Sequence, residues 1–113
     1  MPKRRVLVVE DDRDIRGEMV SLLEEEGYSV LVADHGRHAL EVIQKSGQPD
    51  VIVLDLMMPV MDGWEFRELQ KRDPALCEIP VIVTTASEDE VDADALIPKP
   101  IDGEALLRAI KAL

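Results

Sequence analysis

Two aliphatic runs, Val6-Leu7-Val8-Val9 and Val51-Ile52-Val53-Leu54, each end on carboxylates: Glu10-Asp11-Asp12 after the first and Asp55 after the second. Runs without polar alternation suit strands buried on both faces, and that points to a parallel sheet. A carboxylate at the C-terminal end of such a strand lies where open α/β sheets bind their ligands. If the two runs are adjacent strands, at least three carboxylates converge on one edge of the sheet. Like charges that close do not all stay ionised without a compensating cation. The pattern therefore predicts a divalent metal site around Asp55.

Apolar runs alternate with helical patterns along the whole chain. Arg5 to Val9 reads as a strand. Ile15, Met19, Leu22 and Leu23 then recur at helical spacing, and Gly27 is placed to end that helix. Tyr28 to Ala33, Val51 to Leu54 and Val81 to Thr84 read as further strands, with Leu96-Ile97 as a short fifth. Helices are expected over His38 to Lys45 and Trp64 to Arg72, and after Asp102, a suitable N-cap for the last one. Strand-helix alternation implies right-handed crossovers, so the expected fold is α/β, a doubly wound five-stranded parallel sheet with helices on both faces.

The bulk composition fits one domain over residues 1–113, because that length supports a single core but not two. Apolar residues make up 46% of the chain and aromatic ones only 3%, so the core must be aliphatic. No stretch is apolar enough to span a membrane, and Met1 to Arg5 lead straight into a strand without a secretory signal. The lone Cys77 has no partner for an internal disulfide, in keeping with a cytoplasmic location. A net charge of −11 argues against direct nucleic acid binding, and no membrane partner is expected. The last helix ends where the chain ends, which leaves open whether the domain is free-standing or part of a larger protein.

Four features stand at strand ends: Val-Val-Glu-Asp-Asp, Asp-Leu-Met-Met-Pro-Val-Met-Asp-Gly, Val-Thr-Thr-Ala-Ser and Lys-Pro. In this order they resemble the receiver domain of two-component response regulators, of the chemotaxis-regulator type, over nearly the whole chain. The resemblance implies a flavodoxin-like sheet of strand order 2-1-3-4-5. It also implies Asp55 as phosphoacceptor, becoming phosphoaspartate, with Thr85 as the hydroxyl that binds the phosphoryl group and Lys99 as its counter-charge. Glu10, Asp11, Asp55 and the Met57 backbone carbonyl would hold Mg²⁺, Glu10 through water; Mg²⁺ prefers oxygen donors and keeps several waters. Pro100 matches a family position with a cis peptide. A histidine kinase or phosphotransfer protein is the implied phosphoryl donor, and a downstream protein or output domain the implied receiver of the signal. The domain would not be an enzyme in its own right, although it would assist its own phosphorylation and dephosphorylation.

Several residues read more simply. Asp12 or Asp14 suits an N-cap, and Asp62 before Gly63 suits a turn and helix start. Met57, Met58 and Met61 suit packing and loop filling, since thioethers are poor ligands for a hard cation. His35 and His38 are expected at the surface, away from the acidic edge, Trp64 as partly buried packing, and Glu88-Asp89-Glu90 as a solvated acidic loop.

The chain also departs from the family. Lys99 follows Thr85 by 14 positions, shorter than usual by roughly two helical turns of about 3.6 residues. A fourth helix is therefore expected to be absent or a single turn. Leu96 stands where the family has the aromatic residue that reports phosphorylation. A pseudo-receiver, acting as a phosphorylation-independent interaction module, is the alternative these departures favour. An aspartyl phosphatase would require a second aspartate where Met57 stands. A nucleotide-binding fold would require a phosphate loop where Glu10-Asp11-Asp12 would repel phosphate.

Overall fold

The computed structural model describes residues 3–86 and 92–113. Five parallel strands, β1 (Arg5–Val9), β2 (Ser29–Ala33), β3 (Val51–Asp55), β4 (Val81–Thr85) and β5 (Ala95–Pro98), form one sheet in the order β2-β1-β3-β4-β5. Four helices are present among the described residues: α1 (Arg13–Glu25), α2 (Gly36–Ser46), α3 (Gly63–Arg72) and α4 (Gly103–Lys111). The flavodoxin-like order and the two-sided helical cover agree with the sequence. The question of a further helix between β4 and β5 falls largely on residues 87–91, outside the described residues.

Alternation along the strands divides the core in two. Leu7, Val9, Ile52, Leu54, Val81 and Val83 pack under α2 and α3, with Phe66 at the centre of that layer. Val6, Val8, Val51, Val53, Ile82 and Ile97 pack under α1 and α4, against Met19, Leu23, Leu106 and Ile110. Both faces are dry, which is why β1, β3 and β4 carry unbroken aliphatic sequence.

Asp12, Asp62 and Asp102 cap α1, α3 and α4, accepting two, one and two backbone N–H groups of the first turn. Gly27, at φ +93°, follows the end of α1 in a conformation that side chains rarely adopt. Helix α2 starts two residues before the expected boundary because His35 caps it: the His35 ring accepts the His38 backbone N–H at 3.1 Å. His35 and His38 both flank Asp34, directly after β2, so they stand at the same sheet edge as the carboxylates, not away from it. His38 stays at the surface as expected, half-exposed, while His35 is the better-covered ring. Trp64 packs at the margin of the core as foreseen. Met58 and Met61 also pack there, but Met57 is 63% exposed and fills nothing.

The acidic strand-end cluster as candidate functional site

The site forms because β1 and β3 are neighbours and stop at the same level. Val9 pairs with Leu54, so the next step along each strand brings Glu10 and Asp55 side by side. Glu10 is fully buried and Asp55 nearly so. Carboxylate oxygens of Glu10, Asp11 and Asp55 all lie within 4.8 Å of one another. Asp11 is the exposed member and opens the cluster to solvent.

Lys99 reaches this cluster from beyond β5. Its Nζ lies 2.7 Å from Glu10 Oε1 and 3.4 Å from Asp55 Oδ1. The peptide between Lys99 and Pro100 is cis, as the resemblance implies. Lys99 also donates its backbone N–H to the Thr85 carbonyl at 2.9 Å, which joins the ends of β4 and β5. Thr85 itself is buried at the end of β4.

The charges are strongly coupled. Burial pushes the Glu10 carboxyl above its ordinary range, and a hydrogen bond with Asp55 adds to that; the Lys99 ammonium offsets them only in part. Burial alone would lower the Lys99 ammonium, but its hydrogen bond to Glu10 and the Asp55 charge outweigh it and raise it. Three carboxylates against one ammonium leave an excess of negative charge on a nearly dry edge. All the donors are oxygens, which suits a hard divalent cation over a soft one. The cluster can therefore hold a metal ion.

The loop after Asp55 is shaped closely. Asp55 Oδ1 accepts the Met57 N–H at 3.3 Å. Gly63 donates its N–H to the Leu56 carbonyl at 2.9 Å, and a Cβ at Gly63 would fall 2.6 Å from the Asp55 carbonyl oxygen. Only glycine lets α3 start that near the strand end. Between them, Val60 has φ +67°, and Met61 N–H bonds to the Pro59 carbonyl at 2.8 Å, a γ-turn with Val60 at its centre.

One polar centre lay beyond the sequence reading. Gln70, fully buried in α3, donates to the Leu76 and Ile79 carbonyls at 3.0 Å each. Its Oε1 accepts from Arg67, which in turn donates twice to the Asp92 carbonyl, while Lys71 pairs with the Asp92 carboxylate at 2.8 Å. This group ties the approach to β5 onto α3. A glutamine on a helical pattern offers no sequence signal of that role.

Comparison with known proteins agrees with this geometry. A family model described as response regulator receiver domain matches residues 6–111. The response regulator MprA of Mycolicibacterium vanbaalenii is 40% identical over 118 aligned positions, which cover 96% of this chain and 49% of that protein. The chain thus spans about half the length of such curated relatives. Among solved structures, the chemotaxis response regulator CheY4 of Vibrio cholerae is 31% identical with a TM-score of 0.89, over 98% of both chains. The signal receiver domain of a histidine kinase from Syntrophus aciditrophicus is 32% identical with a TM-score of 0.89, over 96% of this chain and 88% of that one.

Proposed function

The chain belongs to the response regulator receiver domain family, and from that premise we propose that residues 1–113 form a single phosphoacceptor switch. A histidine kinase or phosphotransfer protein supplies the phosphoryl group, and a downstream protein or output domain reads the result. The observation that carries this reading is Lys99 Nζ placed between Glu10 and Asp55, 2.7 and 3.4 Å away. A module that had lost its chemistry would have no reason to keep a buried acid pair with its own counter-charge, since such burial is costly.

Asp55 is the nucleophile. One of its oxygens forms the O–P bond as the phosphohistidine P–N bond breaks, and the imidazole keeps that bond's electron pair. As the phosphoryl group arrives, Lys99 exchanges Glu10 for one of its oxygens, and the Thr85 hydroxyl donates to another. Glu10, Asp11, Asp55 and the Met57 carbonyl would hold Mg²⁺. The bound ion would supply electrostatic stabilisation of charge on the transferring group. The Met57 N–H lies 3.3 Å from Asp55 Oδ1, so its backbone runs beside that carboxylate. The chain assists its own phosphorylation and dephosphorylation, and turns over no separate substrate.

Incubation with Mg²⁺ and acetyl phosphate, followed by intact mass measurement, tests the proposal. A gain of one phosphoryl group in the wild type, absent in Asp55→Asn, is expected. No gain at any Mg²⁺ concentration would return the chain to the role of a phosphorylation-independent interaction module.

A further inference from the structure

Thr84 Oγ1 is a fully buried hydroxyl with no hydrogen-bond partner, the one such side-chain atom among the described residues. Most buried hydroxyls are bonded, and an orphan leaves its lost solvation uncompensated. Its position is specific. On β4, Ile82 faces the α1/α4 layer, so alternation sends Thr84 to that same face. Val53 on β3 and Val8 on β1 face that layer too, so Asp55 and Glu10 share it. In register, Thr84 lies directly beside Asp55 on one side and Ile97 on the other. Glu10, Asp55 and Thr84 therefore form one lateral row, with the acceptor in the middle. Lys99, arriving from β5 and ending at Glu10, spans this row.

We infer that Thr84 is a positioning residue for the acceptor carboxylate. This rests on the phosphoacceptor reading above. In the free protein, Asp55 Oδ1 has Lys99 Nζ and the Met57 N–H nearby, and the Thr84 hydroxyl bonds to nothing. When the phosphoryl group draws Lys99 away, a carboxylate oxygen loses its cation contact. The hydroxyl one strand over then donates to the Asp55 oxygen that does not bond phosphorus. That fixes the carboxylate plane while the other oxygen attacks. The O–P bond forms and the donor's bond to phosphorus breaks, its electron pair leaving with the donor; the Thr84 proton stays on Thr84. The hydroxyl's cost in the free state is thus offset in the reacting one, which differential stabilisation requires.

Thr84→Val and Thr84→Ser separate this role from packing. Valine keeps the shape and removes the orphan hydroxyl, so Thr84→Val is expected to unfold at a higher temperature than wild type. Its phosphorylation by acetyl phosphate at saturating Mg²⁺ is expected to slow about tenfold, as loss of a hydrogen bond to a charged group implies. Thr84→Ser should restore most of the rate without the gain in stability. A Thr84→Val chain phosphorylated at the wild-type rate overturns the inference, as does a folded Thr84→Ser chain as slow as the valine variant. If wild type itself takes no phosphoryl group, the phosphoacceptor reading fails first, and the role of Thr84 falls with it.

Discussion

Lys99 holds Glu10 more closely than it holds Asp55: 2.7 Å against 3.4 Å. The ammonium thus serves in the free protein as counter-charge to the residue beside Asp55. It remains free to move toward whatever arrives at Asp55. The pair spans 89 positions of sequence and joins strand ends on opposite sides of β3 and β4.

Glu10 gives the first prediction, a dependence of stability on pH in the absence of metal. Burial, then Asp55, raise its carboxyl above the ordinary 4.5 in the folded chain. A raised folded value means the group's contribution is complete below 4.5 and is lost as pH climbs through the folded value. Unfolding free energy in EDTA should therefore fall as pH rises above 4.5. Burial opposes the downward shift of Asp34, but the His38 hydrogen bond and the nearby His35 and His38 together outweigh it, and Lys71 lowers Asp92. Both change charge below their ordinary 3.8 and leave this window clear. Urea unfolding of wild type and Glu10→Gln across that range is the check. Equal slopes for the two would remove Glu10 as the cause.

Lys99→Ala gives the second. It leaves Glu10 and Asp55 buried without a cation, and breaking a buried pair in this way typically costs about 3–5 kcal/mol. Lys99 is itself 19% exposed at its side chain, so the lower part of that range is expected. Mg²⁺ should recover more stability in this variant than in wild type, because the ion replaces the missing charge. Thermal unfolding with and without Mg²⁺ measures both. A smaller Mg²⁺ effect in Lys99→Ala would contradict the assigned charge balance. With phosphorylation intact, any partner response that depends on it should be lost.

Asp11→Ala gives the third. Asp11 is the exposed member of the carboxylate cluster, so its removal should leave folding nearly unchanged, as surface substitutions usually do. Calorimetric titration with Mg²⁺ should then show no binding, and acetyl phosphate should no longer label Asp55. Full labelling of Asp11→Ala in EDTA would sink the metal-dependent reading.

Val60 gives the fourth. It is β-branched, 71% exposed and held at φ +67°, a region that costs a non-glycine residue roughly 1–3 kcal/mol. Val60→Gly relieves that strain and adds chain entropy to the unfolded state, so the expected net gain is smaller, about 1 kcal/mol. A rise in the urea midpoint at unchanged slope is the expected outcome, and a fall would show that the side chain has a packing role.

How much of this was legible in the sequence follows from whether each feature is local. Strands β1, β3 and β4 are buried on both faces and so announce themselves as aliphatic runs. The aspartate caps Asp12, Asp62 and Asp102 lie next to the helices they start and read directly. His35 escaped because a ring nitrogen can accept a first-turn N–H but histidine is no usual cap. The acidic residues converging on Asp55 were readable because parallel strands end at one edge. The bond from Lys99 to Glu10 was not, since register and side-chain reach decide it. Gln70 and Thr84 were hidden for a common reason: a buried polar side chain looks in sequence like any exposed one. Thr85 stands out as the threonine before Ala86, while register places Thr84 beside Asp55.

Met57 gives the last prediction, concerning the lifetime of the phosphorylated state. Hydrolysis of an aspartyl phosphate requires a water in line with the breaking bond, opposite the Asp55 oxygen. Met57 follows the acceptor by two positions and its side chain is 63% exposed, on the open side of the loop. A thioether is a weak acceptor and no donor, so it orients no water. Ser87, two positions beyond Thr85, lies outside the described residues. Slow self-dephosphorylation is therefore expected, and a partner phosphatase would have to insert a polar group of its own. Met57→Asn supplies an amide that both donates and accepts. It should speed hydrolysis about tenfold, equal to roughly 1.4 kcal/mol of barrier. The side chain is already in solvent, so the exchange should leave the thermal midpoint nearly unchanged. Decay of phosphorylated wild type and Met57→Asn at saturating Mg²⁺, followed by intact mass, is the measurement. Equal decay rates would mean that the attacking water is held by other groups, and that Met57 leaves its approach unaffected.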